Sequence, residues 1–301
     1  MIRTLKAAAL IAPVAIAVST TVRAAATAPN AWVSGKGVDQ AGCGPAATPF
    51  RTFQYAHDNV VGVGGQIRVQ DSAGYSPIII SKEISIINEG SNAGISATGG
   101  IAITIQAGAG DAVFLKGLSL DGQRTGVAGI KILSAAKVTV ANCTITGISS
   151  GGAGIDITPA AGKVSFTVSD SMISGNIGKG ISIIPSLGFL VGGSTASVRG
   201  SVSRTELNNN SKDGLLLNSG YTSGTISLYA SEVNASFNDA YGLIAVGANA
   251  SLHLKRSMAT GNKFYGVGNN GAAVFTYGDN ALDGNDIGDA FGGMSTADHL
   301  Q

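Results

Sequence analysis

The residues with chemistry to offer fall into two rows. A phrase Asn-x-x-x-Gly recurs along the chain, and the place just before its Gly is held by Lys179, Asp213, Tyr241 and Tyr265. Three residues further on, an alternating position is held by Ser182, Leu216 and Ile244. Lys131 and Asp156 hold the same place in two earlier turns. Aromatic rings bury the C–H faces of sugars well. A lysine and an aspartate offer a cation and an acceptor to hydroxyls or carboxylates. Leu216 and Ile244 extend the strip with apolar surface. The two rows predict one long face that binds an extended polysaccharide or another surface partner. Plainer readings stand beside this one: Lys131 and Asp156 as an ordinary surface ion pair, and the tyrosines as packing on turns.

Signals for catalysis are weaker. Glycoside hydrolysis needs two carboxylates a few ångströms apart, and no Asp-Asp or Gly-His-Asp phrase occurs. A calcium-dependent lyase needs clustered carboxylates and an outward Arg or Lys as base. The acidic residues here mostly stand alone. The three His are far apart in sequence, which leaves zinc unsupported. No metal or other cofactor is expected. Gly151-Gly152-Ala153-Gly154-Ile155-Asp156 matches the opening of a calcium-binding nonapeptide repeat. Thr158 stands where that repeat wants a large apolar residue, and no second copy follows, so the stretch reads as turn chemistry. A third row lies six residues before each Asn: Asp170, Arg204, Glu232, Arg256 and Asp279. Its signs alternate, as a register-supporting charge ladder on a solvated face requires.

These rows exist only if the chain stacks upon itself. Asn176, Asn210, Asn238, Asn262 and Asn285 are spaced by 34, 28, 24 and 23 residues, periods that mark solenoids. Counting back three, five and eight residues from Asn176 gives Ile173, Ser171 and Val168. The same count from Asn210 gives Leu207, Thr205 and Val202. Apolar residues alternate with others over short runs, which argues strand and not helix. Short strands stacked coil upon coil make an all-β parallel β-helix. The recurring Asn is expected to point inward, each amide donating to one neighbour and accepting from the other.

Gly makes up 44 of 301 residues, and only 12% are charged, about half the usual share. That suits tight turns and excludes a basic nucleic-acid-binding face. Residues 1–24 read as an export signal: Arg3 and Lys6, an apolar run over 7–18, then Val22-Arg23-Ala24. Its removal takes three of 19 basic residues against 18 acidic ones, moving the net charge from +1 to −2. The mature chain is therefore expected to be secreted or periplasmic, with no membrane span. Residues 25–65 read as a lead-in and capping helix, 66–288 as the β-helix and 289–301 as a tail or cap. Thr48 as N-cap and Pro49 as first residue predict a helix over 49–59, with His57 on its surface. Strands are expected to begin at Ile67-Arg68-Val69. Cys143 takes the core place that Ser171 and Thr205 hold in later coils, several coils from Cys43, so the two thiols are expected to stay free. An insertion near 185–191 places Leu187, Phe189 and Leu190 beside the coils.

Trp32-Val33-Ser34-Gly35, Gly64-Gly65-Gln66-Ile67-Arg68-Val69 and Ile84-Ser85-Ile86-Ile87 resemble the opening of secreted right-handed parallel β-helix proteins. The coils resemble the pectin lyase-like superfamily. That resemblance covers nearly all of the mature chain and implies the right-handed fold with a short N-terminal capping helix. The superfamily includes polysaccharide lyases, glycoside hydrolases, adhesins and many chains of unknown activity. The residues favour non-catalytic binding to a polysaccharide or surface partner. A polysaccharide lyase or glycoside hydrolase, and a structural or adhesin-like surface protein, are the alternatives.

Overall fold

The computed structural model describes residues 27–187 and 193–297. The expected export signal over 1–24, residues 188–191 of the insertion and residues 298–301 lie outside them. The chain is a parallel β-solenoid with a single helix among the described residues. One coil shows the plan: Lys163–Ser169, Met172–Ile173 and Lys179–Ile183 are its three strands. Stacked on their copies, they form a first, a second and a third ladder. Val168 pairs with Val140 and Val202, Ile173 with Ile145, and Ile181 with Ile155 and Leu215. Alternation puts every second residue inside, so Val164, Phe166 and Val168 are buried and stack along the axis.

The turn from first to second ladder holds the charged row. Asp170, Arg204, Glu232 and Arg256 have φ between 45° and 57°, the left-handed region, so their side chains leave the turn into solvent. Arg204 grips Asp170 through Nε–Oδ1 (2.7 Å) and Nη2–Oδ2 (3.0 Å). Arg256 Nη2 meets Glu232 Oε1 at 2.7 Å, and Asp279 Oδ1 accepts from the Arg256 N–H at 2.9 Å. The alternating signs form the ladder that the spacing predicts.

The turn from second to third ladder holds the Asn column. Asn176, Asn210, Asn238 and Asn262 are all buried. Each Oδ1 from Asn210 onward accepts twice from the preceding Asn, once from its backbone N–H and once from its Nδ2. For Asn238 these distances are 3.0 and 3.1 Å. The column ends at Asn285, whose Nδ2 donates to Asp289 Oδ1 at 3.2 Å.

The N-terminal end corrects several expectations. The helix, α1, is Phe53–Asn59, and its N-cap is Thr52, not Thr48. Residues 48–51 are drawn away from it, because Phe50 donates to the Trp32 carbonyl and accepts from the Ser34 N–H. The lead-in is itself a strand, Ala28–Val33, paired with a strand that begins at Val61, so the sheet starts before Ile67. His57 is buried, not on the surface. Its Nδ1 bonds Asp58 Oδ1 at 2.7 Å, and its Nε2 accepts from the Ser81 N–H at 3.3 Å. Burial lowers its pKa, against the Asp58 hydrogen bond, which agrees with a neutral ring donating from Nδ1. At the other end, strands Gly288–Phe291 and Ser295–Thr296 continue the third and first ladders beyond residue 288. Both cysteines are free; Cys143 is buried, and burial pushes its thiol up to about 11.

Candidate functional site

The third ladder carries both rows. Its outward Cα partners run Thr104, Lys131, Asp156, Ser182, Leu216, Ile244, Gly268 and Phe291. The place three residues earlier runs Ala128, Ala153, Lys179, Asp213, Tyr241 and Tyr265. The face therefore has a polar end and an aromatic end, joined at Asp213.

At the aromatic end, Tyr241 and Tyr265 stack with centroids 5.8 Å apart and planes 20° apart. Phe264 meets Tyr241 edge-on at 5.7 Å, and Phe291 meets Tyr265 at 5.5 Å. The tyrosines do not stand straight out of the turn. A Cβ on Gly268 would fall 2.8 Å from Tyr241 Cδ1 and Cε1, and one on Gly288 3.2 Å from Tyr265 Cε1. Each ring leans across onto the next coil, and a glycine there makes room for it. Ile244 consequently does not line the face as expected: it is buried, packed under the lean of Tyr241. Ser182 is buried too, at 3% exposure. Leu216 remains partly exposed.

Asp213 is half-buried. Its Oδ1 accepts from the Tyr241 N–H at 3.3 Å. Burial raises its carboxyl above the usual range, and the Tyr241 N–H and the Lys179 ammonium only partly offset this. Burial also raises the Tyr241 phenol, helped by Tyr265 and Asp213. At the polar end Lys131 Nζ and Asp156 Oδ2 form an ion pair at 3.3 Å. Lys131 also borders a cavity of about 420 Å³ with Leu133, Thr158, Ser186 and Leu187. Thr158 Oγ1 is buried there without a hydrogen-bond partner. The insertion borders this end of the face through Ser186 and Leu187.

Phe264 and Phe291 were not singled out by sequence. A signal for Phe291 existed: it stands six residues after Asn285, as Gly268 stands six after Asn262. A second aromatic column was also missed. On the first ladder Tyr229, His253 and Phe275 stack face to face, with centroids 4.3 and 4.6 Å apart. Nine residues before the Asn lie Thr167, Ser201, Tyr229 and His253; Phe275 slips that count by one. Burial between the rings lowers the His253 pKa, and its Nδ1 is buried without a partner. Among the described residues no three His, Cys, Asp or Glu side chains gather as a metal-binding group. No described helix is long and apolar enough to cross a membrane.

The aromatic and polar rows define a candidate ligand-binding face on a parallel β-helix. No protein-family model matches the chain, and no curated protein matches it significantly. Among solved structures it is similar to the A-module of mannuronan C-5 epimerase AlgE4 from Azotobacter vinelandii, at 12% identity and a TM-score of 0.35. The match covers 78% of this chain and 89% of that module.

Proposed function

We propose that this chain, exported as the mature protein, binds an extended polysaccharide along its third ladder without altering it chemically. The observation that carries the reading is the contiguous row Tyr241, Tyr265 and Phe291, which lays aromatic surface along the solenoid axis. Lys179, Asp213 and the Lys131–Asp156 pair continue the track and offer partners to hydroxyls and carboxylates. The test is the double variant Tyr241→Ala with Tyr265→Ala, assayed by affinity electrophoresis in a panel of acidic and neutral polysaccharides. Retardation by a polymer should fall about tenfold or more while the melting temperature holds. Undiminished retardation of the folded variant would discard this face.

A second reading rests on Asp213, whose raised pKa and partial burial beside Tyr241 are properties of a general acid. On that reading the chain is a polysaccharide lyase or glycoside hydrolase. Ultraviolet detection of unsaturated products and a reducing-sugar assay decide it: turnover abolished by Asp213→Asn replaces binding by catalysis.

A further inference from the structure

A second cavity lies on a different face. It is a cleft of about 530 Å³ over the second ladder, near the N-terminal end, within the size range of small-ligand sites. Its floor is the pair Gly74 and Gly94, Cα partners in neighbouring coils, followed by Ser119. Neither glycine is in the left-handed region. A Cβ on Gly74 would meet no atom within 4 Å, and one on Gly94 only the Ala73 carbonyl oxygen at 3.6 Å. Neither backbone conformation nor packing explains them, and glycine inside a strand weakens it. Elsewhere in this solenoid a glycine on an outward row makes room for a ring, as Gly268 does for Tyr241. Here no described residue fills the room.

The rim supplies polar groups with capacity to spare. Gln123 Oε1 accepts from Thr98 Oγ1 at 2.8 Å, and among the described residues its Nε2 has no partner. Asp121 Oδ1 accepts from the Gln123 N–H at 2.8 Å, which leaves Oδ2 open. Asn92 donates its N–H to Ser72 Oγ at 2.9 Å, and its side chain is exposed at the rim. One carboxylate, two amides and the Ser119 hydroxyl around a flat backbone floor match the donors and acceptors of vicinal sugar hydroxyls above a C–H face. Asp121 is the carboxylate of the lining, and no lysine or arginine lines the cleft. Arg51 lies nearby, but its Nη2 is held by the Gly74 carbonyl at 3.0 Å. Within the lining an acidic sugar would meet the Asp121 carboxylate, whereas the charged Arg51 guanidinium lies outside it.

We propose that the cleft over Gly74 and Gly94 is a binding site for an uncharged saccharide, separate from the aromatic face. The experiment is calorimetric titration of the mature chain with cellohexaose, xylohexaose and mannohexaose, with trigalacturonate as the charged control. At least one neutral hexaose should bind, and trigalacturonate should not bind at this cleft. Gly94→Val should weaken the neutral ligand about tenfold or more. Its melting temperature should stay or rise, because valine suits a strand and has open space to occupy. Asn92→Ala with Gln123→Ala removes the rim without touching the core, and serves if Gly94→Val fails to fold. Tyr241→Ala with Tyr265→Ala must leave this affinity intact, which separates the cleft from the face proposed above. The proposal is overturned if no neutral hexaose binds, or if Gly94→Val or the rim variant keeps the affinity in a folded protein. It is equally overturned if the tyrosine variant abolishes binding, or if trigalacturonate binding is lost in Gly94→Val.

Discussion

At the scale of single residues, the Asn column is the clearest case of one side chain serving two coils. Asn238 Oδ1 satisfies the N–H and Nδ2 of Asn210, and its own N–H and Nδ2 go to Asn262 Oδ1. Leucine at 238 would leave buried donors on Asn210 unpaired and free half of Asn262. Each such group costs about 1–3 kcal/mol, so Asn238→Leu should lower the urea midpoint clearly, with an unchanged slope if the fold survives. The thiols give a second prediction. Cys143 is buried with its pKa pushed to about 11, so iodoacetamide at pH 8 should label Cys43 in the native protein and Cys143 only after denaturation. A peptide map showing the two sulfurs joined would contradict the coil positions. These residues were legible in sequence because the repeat fixes which way they point. Ile244 was not, because its burial comes from Tyr241 leaning over from the same coil, a choice of rotamer that spacing cannot report.

At the scale of elements, the N-terminal cap does most to define an end. Thr52 Oγ1 accepts from the Tyr55 N–H at 3.1 Å and donates to Asp39 Oδ2 at 2.7 Å. Thr52→Ala should cost about 1 kcal/mol, read as a lower urea midpoint. Thr48-Pro49 reads as the helix start, and the sequence could not show that Phe50 is claimed by the lead-in strand. Local propensity lost to a tertiary pairing. The stacked column on the first ladder gives a pH prediction. His253 and His57 both have pKa values lowered by burial. The unfolded chain therefore binds protons first, and the stability tied to the neutral rings is whole above about pH 6.5 and drains away as pH falls below it. Asp213, whose pKa is raised, acts in the opposite sense at lower pH. Comparing variants isolates the histidine: His253→Phe keeps a ring between Tyr229 and Phe275 and removes the titration. Its melting temperature should fall less than the parent's between pH 7.5 and 5.5, and equal slopes would show that His253 contributes nothing.

At the scale of the whole molecule, a solenoid is held by contacts between neighbouring coils, so its stability is distributed along one axis and its ends decide where it opens. The repeat made that architecture legible from Asn176 to Asn285, and the alternating charges made the register legible with it. The earlier coils lack the Asn, so the cleft over Gly74 and Gly94 had no phrase to announce it. The two ends are unlike. The first coil is covered by α1, with Phe50, Phe53 and Ala56 fully buried and Lys82 Nζ tied to the Val61 carbonyl at 2.6 Å. The last coil is thin: Val274 is buried, but Leu282 and Met294 are only partly covered, and Ile287 and Phe291 are exposed. Opening that coil therefore removes little apolar contact, whereas opening an inner coil exposes two interfaces at once. Hydrogen exchange followed by mass spectrometry should show graded protection. Amides that pair inner coils, such as Ile226–Asn234 and Ala250–Lys255, should exchange slowest. Those of Gly288–Phe291 and Ser295–Thr296 should exchange first, well before the strands beside α1. Protection that is uniform along the axis, or lower beside α1 than at the last coil, would mean that the cap does not seal its end and that the C-terminal coil is held by contacts other than those of the solenoid itself.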